Sequence, residues 1–184
     1  MIYETKEIVL KDGTNALFRA PLKEDAEEML NYLKTVCGET EFLANYPEDI
    51  KFGIDGERDY IEKLISSPDN LMIVCTVNGK IAGNCQIVFS QKTKTRHRAT
   101  LMIAILKKYW GNGIGTKMFE EMENAAKQRG VTQLELQYIE GNERAAALYK
   151  KAGFKEVAEL PDIFKFSDGT FKKEIYMRKL IERN

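Results

Sequence analysis

Neither sign of charge is in surplus in the 184-residue chain: Lys plus Arg and Asp plus Glu both number 28. Without a basic excess, neither a nucleic acid nor an anionic membrane surface is expected as the principal partner. No apolar stretch approaches the roughly 20 residues of a membrane span. Residues 1 to 11 alternate apolar and charged types and do not form a signal-peptide core, so the expected address is the cytoplasm. There is one histidine, His97, and the three cysteines, Cys37, Cys75 and Cys85, have no CxxC spacing. That set offers little to a metal, and no metal is expected; buried free thiols in a reducing compartment are the plain reading. Repeats and low-complexity blocks are absent too, which excludes solenoids and long disordered tails.

What is present is a pattern that switches repeatedly between period two and period 3.6. The length fits one domain over residues 1–184, able to bury roughly 70% of the surface of its unfolded chain. Glu4 to Lys11 and Thr14 to Ala20 read as a hairpin turning at Asp12-Gly13, and Pro21 opens a helix that runs to Gly38 with Ala26, Met29, Leu30 and Leu33 on one face. Residues 39 to 56 are irregular, with Phe42, Leu43, Tyr46 and Pro47 set among acids, as in a short helix plus a loop beside a cleft. Glu57 to Ser66 reads as a second helix. Leu71 to Val77 and Lys80 to Ser90 are strands joined at Asn78-Gly79, the strongest hairpin signal in the chain, and Ala99 to Leu106 is another strand. From Gly113 the period is helical, with Ile114, Met118, Met122 and Ala125 inward and Gly130 as the stop. A strand through Leu134, Leu136 and Tyr138, a helix from Asn142 to Gly153, and a last hairpin at Asp168-Gly169 complete the order β-β-α-α-β-β-β-α-β-α-β-β. Hairpins at both ends and helical crossovers in the middle predict a mixed α+β fold, not an all-parallel sheet.

The informative stretch is Leu101 to Phe119. A β-branched strand through Ile103 and Ile105 runs into Trp110, then Gly111-Asn112-Gly113-Ile114-Gly115-Thr116, and directly into a helix. Alternate glycines let the backbone approach a ligand and take positive φ. Successive N–H groups and the positive helix end make an anion site, for which a diphosphate is the natural occupant. A glycine-rich corner that binds nothing is the bland alternative. The dinucleotide fingerprint does not fit, because the third glycine comes two positions on where that pattern has three. A P-loop does not fit either, since no Gly-Lys-Ser/Thr follows.

Strand, Tyr109-Trp110-Gly111-x-Gly113-Ile114-Gly115-Thr116, helix, strand and then Asn142-Glu-Arg-Ala-Ala-Ala-Leu-Tyr149-Lys-Lys-Ala-Gly153-Phe154 resembles the GNAT superfamily of N-acetyltransferases, and looks closest to the subgroup related to ribosomal-protein-alanine acetyltransferases. The resemblance implies a mostly antiparallel central sheet of about seven strands flanked by about four helices and splayed at the Ala99–Leu106 strand. It implies acetyl-CoA as cosubstrate. The strand of Ile103 and Ile105 would part from its neighbour at a bulge and hydrogen-bond the pantetheine arm; amides from Gly111 to Thr116 would hold the diphosphate. Asn142 would contact the pantetheine region, and Tyr149 would aim its hydroxyl at the thioester sulfur. Two departures stand out. The family often has Gln or Arg where Trp110 stands, and the strand position where some members carry a catalytic glutamate falls on His97.

Each candidate has a plainer role beside the functional one. Tyr149 sits at core spacing with Ala145, Leu148 and Ala152, and Asn142 is a natural N-cap. Tyr109 and Trp110 suit packing, and Phe164, Phe166 and Phe171 suit either strand core or the wall of an acceptor cleft. For a general base, Glu41 and His97 are candidates beside Glu39 and Glu140, although solvated loop acids are usually inert and His97 lies between two arginines. The expected activity is direct transfer of the acetyl group to a primary amine of a small molecule or a protein N-terminus, with no cysteine nucleophile. A CoA or acyl-CoA sensor without catalysis and a nucleotide-binding protein of another kind are the rival readings. The acidic residues between Glu39 and Asp49 read as a cationic-acceptor surface or as a solvated loop, and an open strand edge suits a homodimer.

Overall fold

The computed structural model of the chain describes residues 3 to 181; residues 1, 2 and 182 to 184, the ends of the span expected to form one domain, lie outside them. Its strands are β1 Lys6–Val9, β2 Asn15–Arg19, β3 Asn70–Val77, β4 Lys80–Phe89, β5 Arg98–Ile105, β6 Gln133–Ile139, β7 Lys155–Lys165 and β8 Phe171–Leu180. Its helices are α1 Ala26–Gly38, α2 Ile54–Ser66, α3 Ile114–Gln128 and α4 Glu143–Lys151. The element order is the one the periodicity predicts. All eight strands of that order join one sheet, β1-β2-β3-β4-β5-β6-β8-β7, where the resemblance implies about seven. Only β5 and β6 run parallel among the described residues, and α3 is the crossover that such a pair requires.

The sheet is covered on both faces, which the residues of β3 make plain. Leu71, Ile73, Cys75 and Val77 pack into the core shared with α3 and α4, while Met72 and Val74 join the core under α1. A strand covered twice is apolar at successive positions. Asn78 and Gly79, at φ 50° and 73°, close its hairpin with β4 in the tight turn that the dipeptide predicts. Inward positions 114, 118, 122 and 125 of α3 are all buried, with Phe119 and Ala126 beside them. Buried Tyr32 ties α1 to the sheet, its hydroxyl 2.8 Å from both Asn84 Oδ1 and Ala104 O. No helix among the described residues is long and apolar enough to cross a membrane.

Gly83 permits the close approach of β4 to β5. A Cβ there would lie 2.9 Å from Ala104 O and 3.2 Å from Ile105 Cα, and backbone cannot rotate aside as a side chain can. Gly83→Ala is expected to destabilise the fold by about 1–3 kcal/mol. Urea unfolding of the two chains, read as a lower midpoint at constant slope, measures it.

Candidate active site

The cleft begins where two strands stop pairing. β6 pairs with β5 only at Arg98, Ala99 and Thr100, and that closed end is clamped by Arg98, whose Nε and Nη2 donate to Glu135 at 2.6 and 2.5 Å. On the other side β5 stays paired with β4 as far as Ile105, without a register shift, so the opening comes from divergence of β5 and β6 and not from the bulge expected. Ser90 N–H donates to Arg98 O and Leu106 N–H to Ala82 O, so even-numbered residues turn their main-chain groups toward β4. Odd-numbered ones face β6, as His97 O shows by accepting from Thr132 and Gln133 N–H. Past Thr100 the main-chain groups of Leu101, Ile103 and Ile105 therefore face a cleft of about 1010 Å³. Trp110 takes one of them, its Nε1 donating to Ile105 O at 2.6 Å. The N–H and C=O of Ile103 stay available to an extended ligand that adds itself as a strand.

At the end of β5 the chain turns through Gly111 and Gly113, at φ 83° and 89°. Gly113 is the N-cap of α3 and no side chain caps that helix. Lys117 N–H makes the first helical bond, to Gly113 O, and the N–H groups of Ile114, Gly115 and Thr116 have no acceptor among the described residues. Gly115 allows α4 to pack closely, since a Cβ would lie 2.8 Å from Leu148 Cδ2. Asn112 is held sideways: its O accepts from Lys11 N–H at 3.1 Å and its Nδ2 donates to Asp12 Oδ2 at 3.0 Å.

Those contacts bring in two cations that the sequence reading did not assign. The stem of Lys11, on the β1–β2 turn, crosses Gly113, where a Cβ would be 3.5 Å from its Cγ. The guanidinium of Arg144 lies 4.7 Å from the centre of the Trp110 ring, and a Cβ on Gly111 would be 3.9 Å from its Nη2. Neither forms an ion pair with a described residue. Arg144 lies inside the Asn142-Glu-Arg motif and was open to reading; Lys11 comes from a hairpin 100 residues upstream, and only tertiary docking places it. Trp110, standing where the family often has a polar side chain, thus fixes the strand end with its indole N–H and supports a cation on its face.

Of the other predicted residues, Asn142 lines the cleft and also caps α4, its Oδ1 accepting from Ala145 N–H at 3.1 Å. Tyr149 lines the cleft from α4, edge-on to Phe119 and Tyr138, and its hydroxyl donates to no described residue. Burial pushes its phenol up to about 12. Phe164 is on the cleft wall, whereas Phe171 is exposed beneath Lys165. The base candidates are not brought to the cleft. His97, at the closed end, borders a separate hollow with Arg96 and Arg129, and Glu41 is exposed away from the lining. Glu39 accepts from Lys107 N–H at 2.6 Å, and Glu140 from Lys173 N–H at 3.4 Å. All three cysteines are free and buried; Cys37 touches the cleft, and burial raises every one of these thiols.

The reading from sequence passed over two acids on the cleft lining: one is the half-buried Glu174 of β8, and the other, Glu57, comes from α2. It shares the buried stripe of Ile61 and Leu64, and burial holds its carboxyl above the usual carboxylate range. No cluster of three or more His, Cys, Asp and Glu suited to a metal occurs among the described residues.

Residues 39 to 154 match the Acetyltransferase (GNAT) family. The chain is 30% identical over 100 residues to the thialysine N-epsilon-acetyltransferase of Bos taurus, covering 54% of this chain and 56% of that one, so it spans about half the length of this curated relative. A GNAT-family acetyltransferase from Streptococcus pneumoniae superimposes with a TM-score of 0.83 at 31% identity, over 90% of this chain and 99% of its own. A putative acetyltransferase from Salmonella typhimurium, solved with acetyl-CoA, has the same fold at a TM-score of 0.76 and 16% identity, over 92% and 95% of the two chains. With a parted strand pair, an uncapped glycine turn and a family match across both, the chain belongs to the GNAT family of acetyltransferases.

Proposed function

We propose that the chain is an acetyl-CoA-dependent N-acetyltransferase that acts on a primary amine of a small molecule or a protein N-terminus, by direct attack with both substrates bound. The observation that carries this is the divergence of β5 from β6 beside the uncapped start of α3. It sets a row of unpaired strand groups and an anion site on one line, which suits a ligand with an amide-bearing arm and a diphosphate. Ile103 would hold the arm, the amides of residues 111 to 116 with Lys11 and Arg144 the diphosphate, and Asn142 the segment between.

The amine nitrogen forms a bond to the thioester carbon, the carbon–sulfur bond breaks, and sulfur leaves with the bonding pair. The carbonyl oxygen gains charge on the way, and a main-chain N–H of β5 is the donor in reach of it. Tyr149 donates its hydroxyl to the departing sulfur. No covalent enzyme intermediate is involved, in keeping with three thiols held protonated. The name of the bovine relative points to an amine at the end of a flexible chain, and the resemblance to ribosomal-protein-alanine acetyltransferases keeps protein N-termini in the set. Self-association would run along the open edge of β7, where Val157, Leu160 and Ile163 are exposed.

The test is thiol release from acetyl-CoA with a panel of amines, with the products weighed by mass spectrometry. Acceptor-dependent release and an acetylated amine are expected. Saturable CoA binding without release for any amine would make the chain a sensor instead.

A further inference from the structure

We propose that Glu57 is the acceptor-side carboxylate of the cleft, which takes the acceptor as an ammonium ion, draws one proton from it, and so selects cationic primary amines; this rests on the acetyltransferase reading above. Glu57 is 2% exposed and its side chain borders the cleft. Its carboxylate forms no hydrogen bond or ion pair with a described residue. Asp55, two residues earlier in the same first turn, shows what an acid at a helix start ordinarily does: its side chain is 95% exposed and pairs with Arg58 at 2.5 Å. Position in the first turn favours a carboxylate without burying it, whereas a buried and unpaired one is costly. Its retention on a cavity wall calls for a cation that arrives from outside.

The surroundings agree. Tyr60 of the same helix, Met72 of β3, Gln86 and Asn84 of β4 and Met102 of β5 border the cleft with Glu57, and all are neutral. The cleft-lining cations, Lys11 and Arg144, stand at the glycine turn. The cleft is therefore divided by charge, cationic where a diphosphate would lie and anionic at Glu57 on the α2 side and at Glu174 on β8, of which Glu174 is half-buried and partnered by the Tyr176 hydroxyl, while Glu57 is buried and unpaired. Met72, Gln86 and Met102 form one row across the sheet by register, at the point where β5 has just left β6. An arm laid along Ile105 and Ile103 ends beside that row. Burial raises the proton affinity of Glu57 toward that of an amine, which eases the transfer.

The protons balance. An alkylammonium gives one proton to a Glu57 oxygen, which later passes to water. The freed lone pair attacks the thioester, a second proton ends on sulfur, and the third stays on the amide.

Wild type and Glu57→Gln are compared in thiol release with acetyl-CoA and two kinds of acceptor: alkylamines and diamines, cationic at neutral pH, and aniline and hydroxylamine, mostly uncharged there. The variant is expected to lose roughly 10²-fold in kcat/KM for the cationic amines and less than about threefold for the uncharged ones. Calorimetric affinity for acetyl-CoA stays at the wild-type value. Glu57→Asp, which keeps the charge but withdraws it, falls between the two for cationic amines. An equal loss for both kinds of amine, or no loss, overturns the assignment of Glu57 while leaving the acetyltransferase reading intact. Absence of release by the wild type with every amine overturns both.

Discussion

Tyr149→Phe lowers kcat roughly 10²- to 10³-fold, the cost of losing one aimed donor at a developing charge, and leaves the affinity for acetyl-CoA within about threefold. The substitution removes one oxygen from a side chain whose ring is fixed edge-on between Phe119 and Tyr138, so packing survives it. The hydroxyl donates to no described residue, and its loss leaves no partner in the protein unsatisfied. The raised phenol defines what kind of help it gives. A phenol pushed up to about 12 is a weaker acid than a thiol near its ordinary ~8.5. Complete proton transfer to the thiolate would then run uphill by about 5 kcal/mol. In the proposed mechanism Tyr149 is therefore a hydrogen-bond donor that stays protonated through neutral pH, and the proton that ends on sulfur is one released by the amine as it becomes an amide. Steady-state kinetics with saturating amine, set beside direct binding of acetyl-CoA, separates the outcomes. Unchanged kcat removes Tyr149 from the chemistry, and a loss confined to affinity makes it a holding residue.

How much of this could be read beforehand depended on whether a feature was continuous in the chain. The hairpin at Asn78-Gly79, the stripe of α3 and the run from β5 through the glycine turn are local patterns, and they lie where periodicity and turn chemistry put them. Helix starts were less legible. α1 begins at Ala26, not at Pro21, after a short turn in which Asp25 pairs with Arg19 at 2.6 and 2.8 Å and accepts from Leu22 N–H. α2 begins at Ile54, three residues before the predicted Glu57, and takes in Gly56, a residue that ordinarily weakens a helix. Gly56 has a packing reason instead, since a Cβ there would press on Phe52 at 3.2 Å. Once the helix is extended, residues 57, 61 and 64 form one stripe, and the carboxylate in it becomes visible. The acids of residues 39 to 49 drew attention because they cluster, yet Glu39 and Asp49 spend their carboxylates on main-chain N–H groups. Lys11 was out of reach altogether, because its place over Gly113 depends on a hairpin docked from the far side of the sheet.

Replacing both Lys11 and Arg144 by Ala raises the KM for acetyl-CoA roughly 10²- to 10³-fold, with kcat at saturation near the wild-type value. A hydrogen bond to a charged group contributes about 1.5–3 kcal/mol, and each side chain flanks one glycine of the turn. Their contribution is to binding and not to the reacting bonds, so it is equal in the ground and transition states and appears in KM. Arg144 is expected to carry the larger share, because the Trp110 face preorganises its guanidinium while no described residue holds the Lys11 ammonium. Salt separates attraction from packing: raising ionic strength weakens acetyl-CoA binding to the wild type more than to the double variant, because the charges that salt screens are gone from the latter. A truncated donor decides the location. Acetyl-pantetheine keeps the thioester and the arm but has no diphosphate, so the two chains use it with equal kcat/KM if Lys11 and Arg144 hold that group. Equal impairment with both donors would assign the pair to shaping the turn, and the bare amides at the start of α3 would then bear the diphosphate without help.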